Sequence, residues 1–525
     1  MPESFASSGV QSWILPAMLL WPLVAALVVR VVGRDVASAE SATPSSGIDA
    51  RVLTLIALVI EAALGIAAWV LFSPSKQGWQ ISADLPWIPD IGARLTLGVD
   101  GLSLPMLVMT ALLMPLALLG SWNNVKIKTP AFGALLLALT SGLVGVLVAI
   151  DLLLFYMSWE LMLIPTYFIV GIWGGVDRTK SVLKYVIMTM VGSLLMLVAI
   201  AALWTKGGGT SFALDHFLTL QLSSTEQLLM FGAFFLAFAV KSGLVPFHSW
   251  MPDAQQSAPT MGAVTLGIKV GMYAMLRFAI PMFPAAVSDS RVQLTIITLS
   301  VVTILYGALV AMAQTDFKRL ISYSSISHLG FIMLGCFVLS PQSLQGATWI
   351  TINHGITTSA LFLLAGMLQD RKGTNLMTSF GGLARVVPWF SLMLTLAIFS
   401  TIGLPGTNGF IGEFLVLIGT YGSWPIVATM ATTVVIFAAI YGLRTLQTIL
   451  FGKLNESSNG NLRDLSFREL AVMSAFAVGI IWLGLAPHGV LQRIESGTLH
   501  VQPHPRSAVL APHAGVLTAS NAQPR

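Results

Sequence analysis

Residues 228–246 read LLMFGAFFLAFAVKSGLVP, and Lys241 stands in them after thirteen consecutive uncharged residues. A run of this kind is a membrane helix, since about 20 apolar residues rising about 1.5 Å each cross a hydrocarbon core about 30 Å thick. Gly243 and Pro246 then break that helix inside the bilayer. The backbone groups they free are tolerated only where protein or a wet cavity satisfies them. Residues 402–409, IGLPGTNG, carry the same punctuation far along the chain. A pair of interrupted helices in two halves of a chain points to a transporter built from repeats. The bland alternative is a pair of ordinary packing kinks, and no residue-by-residue repeat accompanies the breaks.

Outward from these two stretches the whole chain has the same character. It is 525 residues long, 55% hydrophobic and 9% charged, with a mean hydropathy of +0.83. Soluble domains carry about 25% charged residues, so this chain has too little charge to cover a water-facing surface. Apolar runs bounded by Gly, Pro and charge predict an all-α polytopic protein of about fourteen transmembrane helices. They lie near 13–32, 52–72, 100–120, 131–150, 152–172, 182–204, 228–246, 260–280, 293–313, 321–340, 346–368, 388–419, 425–451 and 468–487. The Ser/Ala-rich loop at 33–50 reads as flexible, and the tail 488–525 as disordered. Glu3, with no basic residue before Trp13, argues against a cleavable signal peptide, so the first apolar segment is expected to stay as a membrane helix.

Charge placement sets an orientation. With the N-terminus outside, the inner loops gather Lys126, Lys128, Arg178, Lys180, Lys318, Arg319, Arg371 and Lys372 among others, and the outer loops hold fewer basic residues. Both termini are therefore expected outside. The net charge of +5 reflects these basic loops rather than nucleic-acid binding. The one cysteine, Cys336, excludes cysteine-based disulfide, zinc and iron–sulfur sites within this chain alone. No GxGxxG or GxxxxGK[ST] motif offers a dinucleotide or ATP site.

Glu160, Lys241, Lys269, His328, His354 and Glu413 are ionisable residues inside predicted spans. A central Lys or Asp costs about 2.5–3.5 kcal/mol on insertion, so such residues persist where they pair, face water or act. Acids and bases alternate along the chain, as a proton relay requires. Glu160 could also be interhelical glue, and Lys241 could snorkel, though the long apolar run before it opposes that. Lys269 lies nine residues into its span and resists the same explanation. A neutral histidine hydrogen-bonded between helices would account for His328 and His354 equally well. Glu413 follows the Gly-rich break at 402–409. His248 and Asp253, in the loop after the first break, suit gating or simple anchoring. Asp316, Lys318 and Arg319 read as a topology-setting loop cluster. The histidines are too scattered for a metal site.

Two further runs carry a resemblance. Residues 241–254, KSGLVPFHSWMPDA, and 314–328, QTDFKRLISYSSISH, are similar to the signatures of antiporter-like proton-translocating subunits. These belong to respiratory complex I, the NADH:quinone oxidoreductase, and to Mrp-type cation/proton antiporters. The resemblance extends over nearly all of residues 95–450. At position 413 the family usually places a lysine, whereas the M-type branch of complex I places a glutamate, as here. The resemblance implies three N-terminal helices in 1–130, a first five-helix repeat in 131–280, an inverted second repeat in 293–451 and a last helix at 468–487, with one broken helix in each repeat. It implies that Glu160 and Lys241 interact, with Glu160 governing the proton affinity of Lys241. Lys269 would be a bridging lysine, His328 and His354 the central connection, and Glu413 the terminal carboxylate. It further implies no cofactor or metal in this chain. NADH, FMN, iron–sulfur clusters and quinone would lie in partner subunits, with L-type and N-type neighbours in a bacterial inner membrane. An Mrp-type antiporter or membrane-bound hydrogenase subunit is the related alternative, and a structural scaffold the unrelated one.

Overall fold

The computed structural model describes residues 9, 11–35, 47–454, 456–498 and 501. The centre of the 33–50 loop and the tail histidines His500, His504 and His513 lie outside the described residues. Two long helices open the chain, α1 (Gln11–Val32) and α2 (Ala50–Leu71). A hairpin of β1 (Gln80–Ile88) and β2 (Ala93–Val99) follows, pairing antiparallel with Ala83 opposite Leu97 and Leu85 opposite Leu95. The reading of an all-helical chain did not foresee it, because residues 80–99 lack clean alternation and carry Pro86 and Pro89. Next come α3 (Ser103–Gly120) and α4 (Thr129–Val148). The fifth span is α5 (Leu152–Leu161) and α6 (Leu163–Trp173), kinked at Met162. Pro165 has no N–H for the carbonyl of Leu161, which accounts for the kink.

The helix α7 (Arg178–Lys206) leads to the first interrupted span, α8 (Ser224–Ser242) and α9 (Trp250–Ser257). Ser223 and Glu226 form a capping box at the start of α8. The eighth span, expected to be continuous, is also broken. It comprises α10 (Thr260–Leu266) and α11 (Val270–Ala274), with a π-helical turn at Met275–Ala279. Long helices resume with α12 (Ser290–Met312), α13 (Phe317–Val338) and α14 (Pro341–Lys372). The second interrupted span is α15 (Pro388–Thr401) and α16 (Asn408–Tyr421). The chain continues through α17 (Pro425–Thr432), α18 (Val434–Leu446) and α19 (Phe467–Leu485). The tail expected to be disordered from 488 opens instead as a helix, α20 (His488–Thr498), which buries Val490 and Ile494. It lies on the start of α3, so close that a Cβ on Gly101 would sit 1.7 Å from the Arg493 carbonyl. Among the described residues, twelve helices are long and apolar enough to cross a membrane, counting Leu152–Trp173, Thr260–Met282 and Pro425–Phe451 each as one.

Both breaks have one chemistry. At the first, Gly243 takes φ +75°, its N–H bonds the Val240 carbonyl and the N–H of Leu244 bonds that of Ala239. At the second, Gly403 takes φ +73°, bonds Ser400, and Leu404 bonds Phe399. Each is a Schellman termination, in which glycine supplies the left-handed residue and the last carbonyls stay satisfied. A proline three residues after Gly243 and two after Gly403 keeps either helix from resuming. The helices α10, α13 and α14 lie at the centre of the molecule, while α1, α2, α7 and α19 turn apolar side chains outward.

A buried ion pair ties the hairpin side together. Asp100 caps α3 through the N–H groups of Leu102 and Ser103 and accepts from Arg277 at 2.5 Å. The guanidinium also lies 4.6 Å from the Trp79 ring centroid.

Candidate functional site

The six expected residues fall into two clusters and one neighbour. In the first cluster Lys241, in the last turn of α8, donates to the Tyr185 hydroxyl of α7 at 3.1 Å. Its ammonium also stands 5.5 Å over the Trp159 ring and 5.4 Å over that of Tyr185. Lys269 lies in the gap between α10 and α11, 2% exposed, and its Nζ has no hydrogen-bond partner among the described residues. The two lysines line one cavity of about 30 Å³ with Thr166, Tyr185, Ser242 and Thr265. Such a volume holds one or two waters, and those would satisfy Lys269. Lys269 thus stands at a helix break, the setting in which transporters place ion-handling side chains.

Glu160 sits one residue beyond Trp159, at the end of α5. Its Oε1 is buried without a partner, and no ion pair joins it to Lys241. The direct contacts of Lys241 are with the Tyr185 hydroxyl and the two aromatic rings.

The second cluster is closed. His328 of α13 meets Glu413 of α16 at 2.9 Å from Nδ1 to Oε1. The rings of His328 and His354, from α13 and α14, lie 4.9 Å apart. His354 bonds the Thr358 hydroxyl one turn along, at 3.0 Å. These side chains line a cavity of about 20 Å³ with Asn353, Thr357, Ser400 and Thr401, enough for one water. Asn408 anchors the broken helix beside it, accepting from Ser400 at 2.5 Å while its carbonyl accepts from Asn353 at 2.8 Å. Gly409 is required there, because a Cβ would lie 2.0 Å from the Ser400 carbonyl.

The clusters meet along α14. A Cβ on Gly267, two residues before Lys269, would lie 3.7 Å from Thr358, the residue whose hydroxyl bonds His354. The spatial order is therefore Lys241, Lys269, His354, His328, Glu413.

The other two expected residues lie apart from this line. Asp253 pairs with Lys184 at 2.8 Å and with Arg319 at 3.4 Å, locking α9 to α7 and α13. His248 reaches the Tyr306 hydroxyl at 3.3 Å. Anchoring rather than gating describes Asp253. Sequence reasoning missed Tyr185, Asn408 and Arg277, and it set Lys318 aside. Among the described residues no group of three His, Cys, Asp or Glu is placed to hold a metal ion.

This arrangement has close relatives. Residues 149–438 match the family model described as NADH:quinone oxidoreductase/Mrp antiporter, TM. NADH-quinone oxidoreductase subunit M of Rhodobacter capsulatus is 36% identical over 93% of this chain and 96% of its own. The Escherichia coli K12 protein of the same name is 37% identical over 86% and 92%. A chain of respiratory complex I from Thermus thermophilus, solved with bound NADH, superposes with a TM-score of 0.84 at 29% identity, over 93% of this chain and all of that one. The chain belongs to the NADH:quinone oxidoreductase/Mrp antiporter membrane family, as an antiporter-like subunit of the M type.

Proposed function

We propose that this chain conducts protons across a bacterial inner membrane as a subunit of NADH:quinone oxidoreductase. The observation that carries the reading is the pair of buried ionisable clusters, the Lys241–Lys269 cavity and the His354–His328–Glu413 group. Protons move by alternating protonation. A neutral amine accepts one, the neighbouring site's charge then favours its release, and the two small cavities supply the waters that complete each hop. The histidines suit the middle of the path because a ring nitrogen both takes and gives a proton near neutral pH. Glu160 acts on Lys241 through Trp159 and its own charge. Electron transfer from NADH through FMN and iron–sulfur clusters to quinone takes place in partner subunits, and this chain is part of the translocase without a redox centre of its own.

The neighbours are the L-type and N-type membrane subunits, and both termini lie on the periplasmic side with the hairpin. The six relay residues act within two inverted five-helix repeats, which the matching Schellman breaks support. An affinity tag on this chain tests the assignment. Pull-down from detergent-solubilised membranes is expected to yield flavin and NADH:quinone reductase activity in one complex. A purified complex that exchanges Na⁺ or K⁺ for protons and oxidises no NADH would make the chain an Mrp-type antiporter subunit instead.

A further inference from the structure

Besides Arg277, which Asp100 pairs, a second buried cation lies outside this relay. Lys318 stands in the first turn of α13, next to two residues with which its sequence grouped it. Asp316 caps the helix through the N–H of Arg319 at 3.0 Å, and Arg319 reaches out to Gln256 at 3.1 Å and Asp253 at 3.4 Å. Those contacts suit a topology-setting loop. Lys318 differs, being 1% exposed, with a 3.4 Å contact to the Ala258 carbonyl as the hydrogen bond of its ammonium among the described residues. A lysine whose task was to hold a loop at the membrane surface would extend its ammonium to water or to a carboxylate.

Its surroundings are polar and incompletely paired. On α9, which packs against α13, Gln255 is fully buried and neither end of its amide has a partner. The Thr260 hydroxyl at the start of α10 and the Ser325 hydroxyl two turns up α13 are likewise buried and unpartnered. Buried polar groups are normally hydrogen-bonded, and water is the partner that fits a polar interior site. The set opens toward solvent on the side opposite the hairpin. The N–H of Thr260 donates to Asn124 Oδ1 at 3.0 Å, and Asn124 Nδ2 donates to Asp370 at 3.2 Å. Asp370 lines an open cleft of about 600 Å³.

The set also leads inward. The Thr260 side chain lies against Gly366 of α14, where a Cβ would come within 2.3 Å of its hydroxyl. Further up the same pair of helices Gly267 faces Thr358, and Lys269 follows. The rise from Thr260 to Lys269 is about 13 Å at helical pitch, a distance that a short chain of waters spans.

We propose that Lys318 is the uptake site for the relay, taking a proton from the Asp370 cleft and delivering it along α10 to Lys269. The neutral Lys318 amine accepts a proton from cleft water. Its ammonium then releases that proton to water held by Gln255 and Thr260, and the Lys269 amine receives it. Lys318 returns to the neutral amine, so one proton has moved inward and no charge is left behind. The proposal rests on the proton-conducting reading above.

The test uses the intact complex in proteoliposomes, with NADH and quinone, and reads protons moved per NADH oxidised. Lys318→Arg keeps the positive charge and the topology signal, but guanidinium does not deprotonate. It is expected to assemble, judged by native gel, and to lose pumping about tenfold; Lys318→Gln should do the same. Pumping at wild-type level in Lys318→Arg, beside a Lys241→Ala complex that has lost it, overturns the uptake role while leaving the relay standing. Normal pumping in both overturns the relay, and the uptake role with it. If neither Lys318 variant assembles, Asp370→Asn decides: reduced pumping supports the path, and unaltered pumping contradicts it.

Discussion

His328 and Glu413 are joined at 2.9 Å across α13 and α16, and Glu413 simultaneously packs against the break in its own span, where a Cβ on Gly403 would lie 3.0 Å from its Oε2. The carboxylate is thus held between the histidine pair and the interrupted backbone. Glu413→Gln keeps the side-chain shape and removes the proton site. The complex is expected to assemble, with protons moved per NADH falling about tenfold. Retention of full pumping would detach Glu413 from the path.

Tyr185→Phe deletes the hydroxyl that Lys241 bonds at 3.1 Å. A hydrogen bond to a charged group is worth about 1.5–3 kcal/mol, and the water-sized cavity beside it recovers part of that. Pumping is expected to slow about three- to tenfold with assembly intact. An unchanged rate would mean that the aromatic cage, and not the hydroxyl, sets the position of Lys241.

Gly409→Ala forces a Cβ to within 2.0 Å of the Ser400 carbonyl, so α15 and α16 must move apart and the Asn408 bonds must lengthen. Gly403→Ala places an L side chain at φ +73°, which costs about 1–2 kcal/mol. Both should lower the denaturation temperature of the purified complex, Gly409→Ala by more. Equal, negligible shifts would show that the break tolerates a looser geometry.

Arg277→Met leaves Asp100 buried without its counter-ion, a change that costs about 3–5 kcal/mol. Adding Asp100→Asn removes that charge while keeping an N-cap for α3. The double variant should be more thermostable than the single one. If it is less stable, the pair is stabilising beyond charge compensation.

The class of fold was legible because composition leaves no alternative to a membrane, and the breaks at 243–246 and 403–405 were legible because glycine and proline mark them directly. The break at Lys269 was not, since no proline follows Gly267 to mark it. The hairpin was hidden for the converse reason, its strands being too irregular to alternate. Of the site, every member that bears a charge in the middle of an apolar run was visible, because insertion cost singles it out. Tyr185 and Asn408 were invisible: neither type is unusual in its span, and only their distances to Lys241 and Ser400 give them roles. Arg277 was overlooked near a span end, where arginine is ordinary. Lys318 reads as a loop residue for the same reason, standing beside Asp316 and Arg319, and its burial alone sets it apart from them. The Glu160–Lys241 contact is the clearest difference. Lys241 makes its direct contacts with the Tyr185 hydroxyl and the Trp159 and Tyr185 rings, which a pairing assigned through resemblance does not name.

The central claim is that Lys241 carries protons. Its most direct test is proton pumping by proteoliposomes holding the purified complex, supplied with NADH and quinone, comparing wild type with Lys241→Ala after native gels establish equal assembly. The expected result is an intact complex that has lost most of its pumping. An assembled Lys241→Ala complex that pumps as well as wild type would make the lysine structural and contradict the relay.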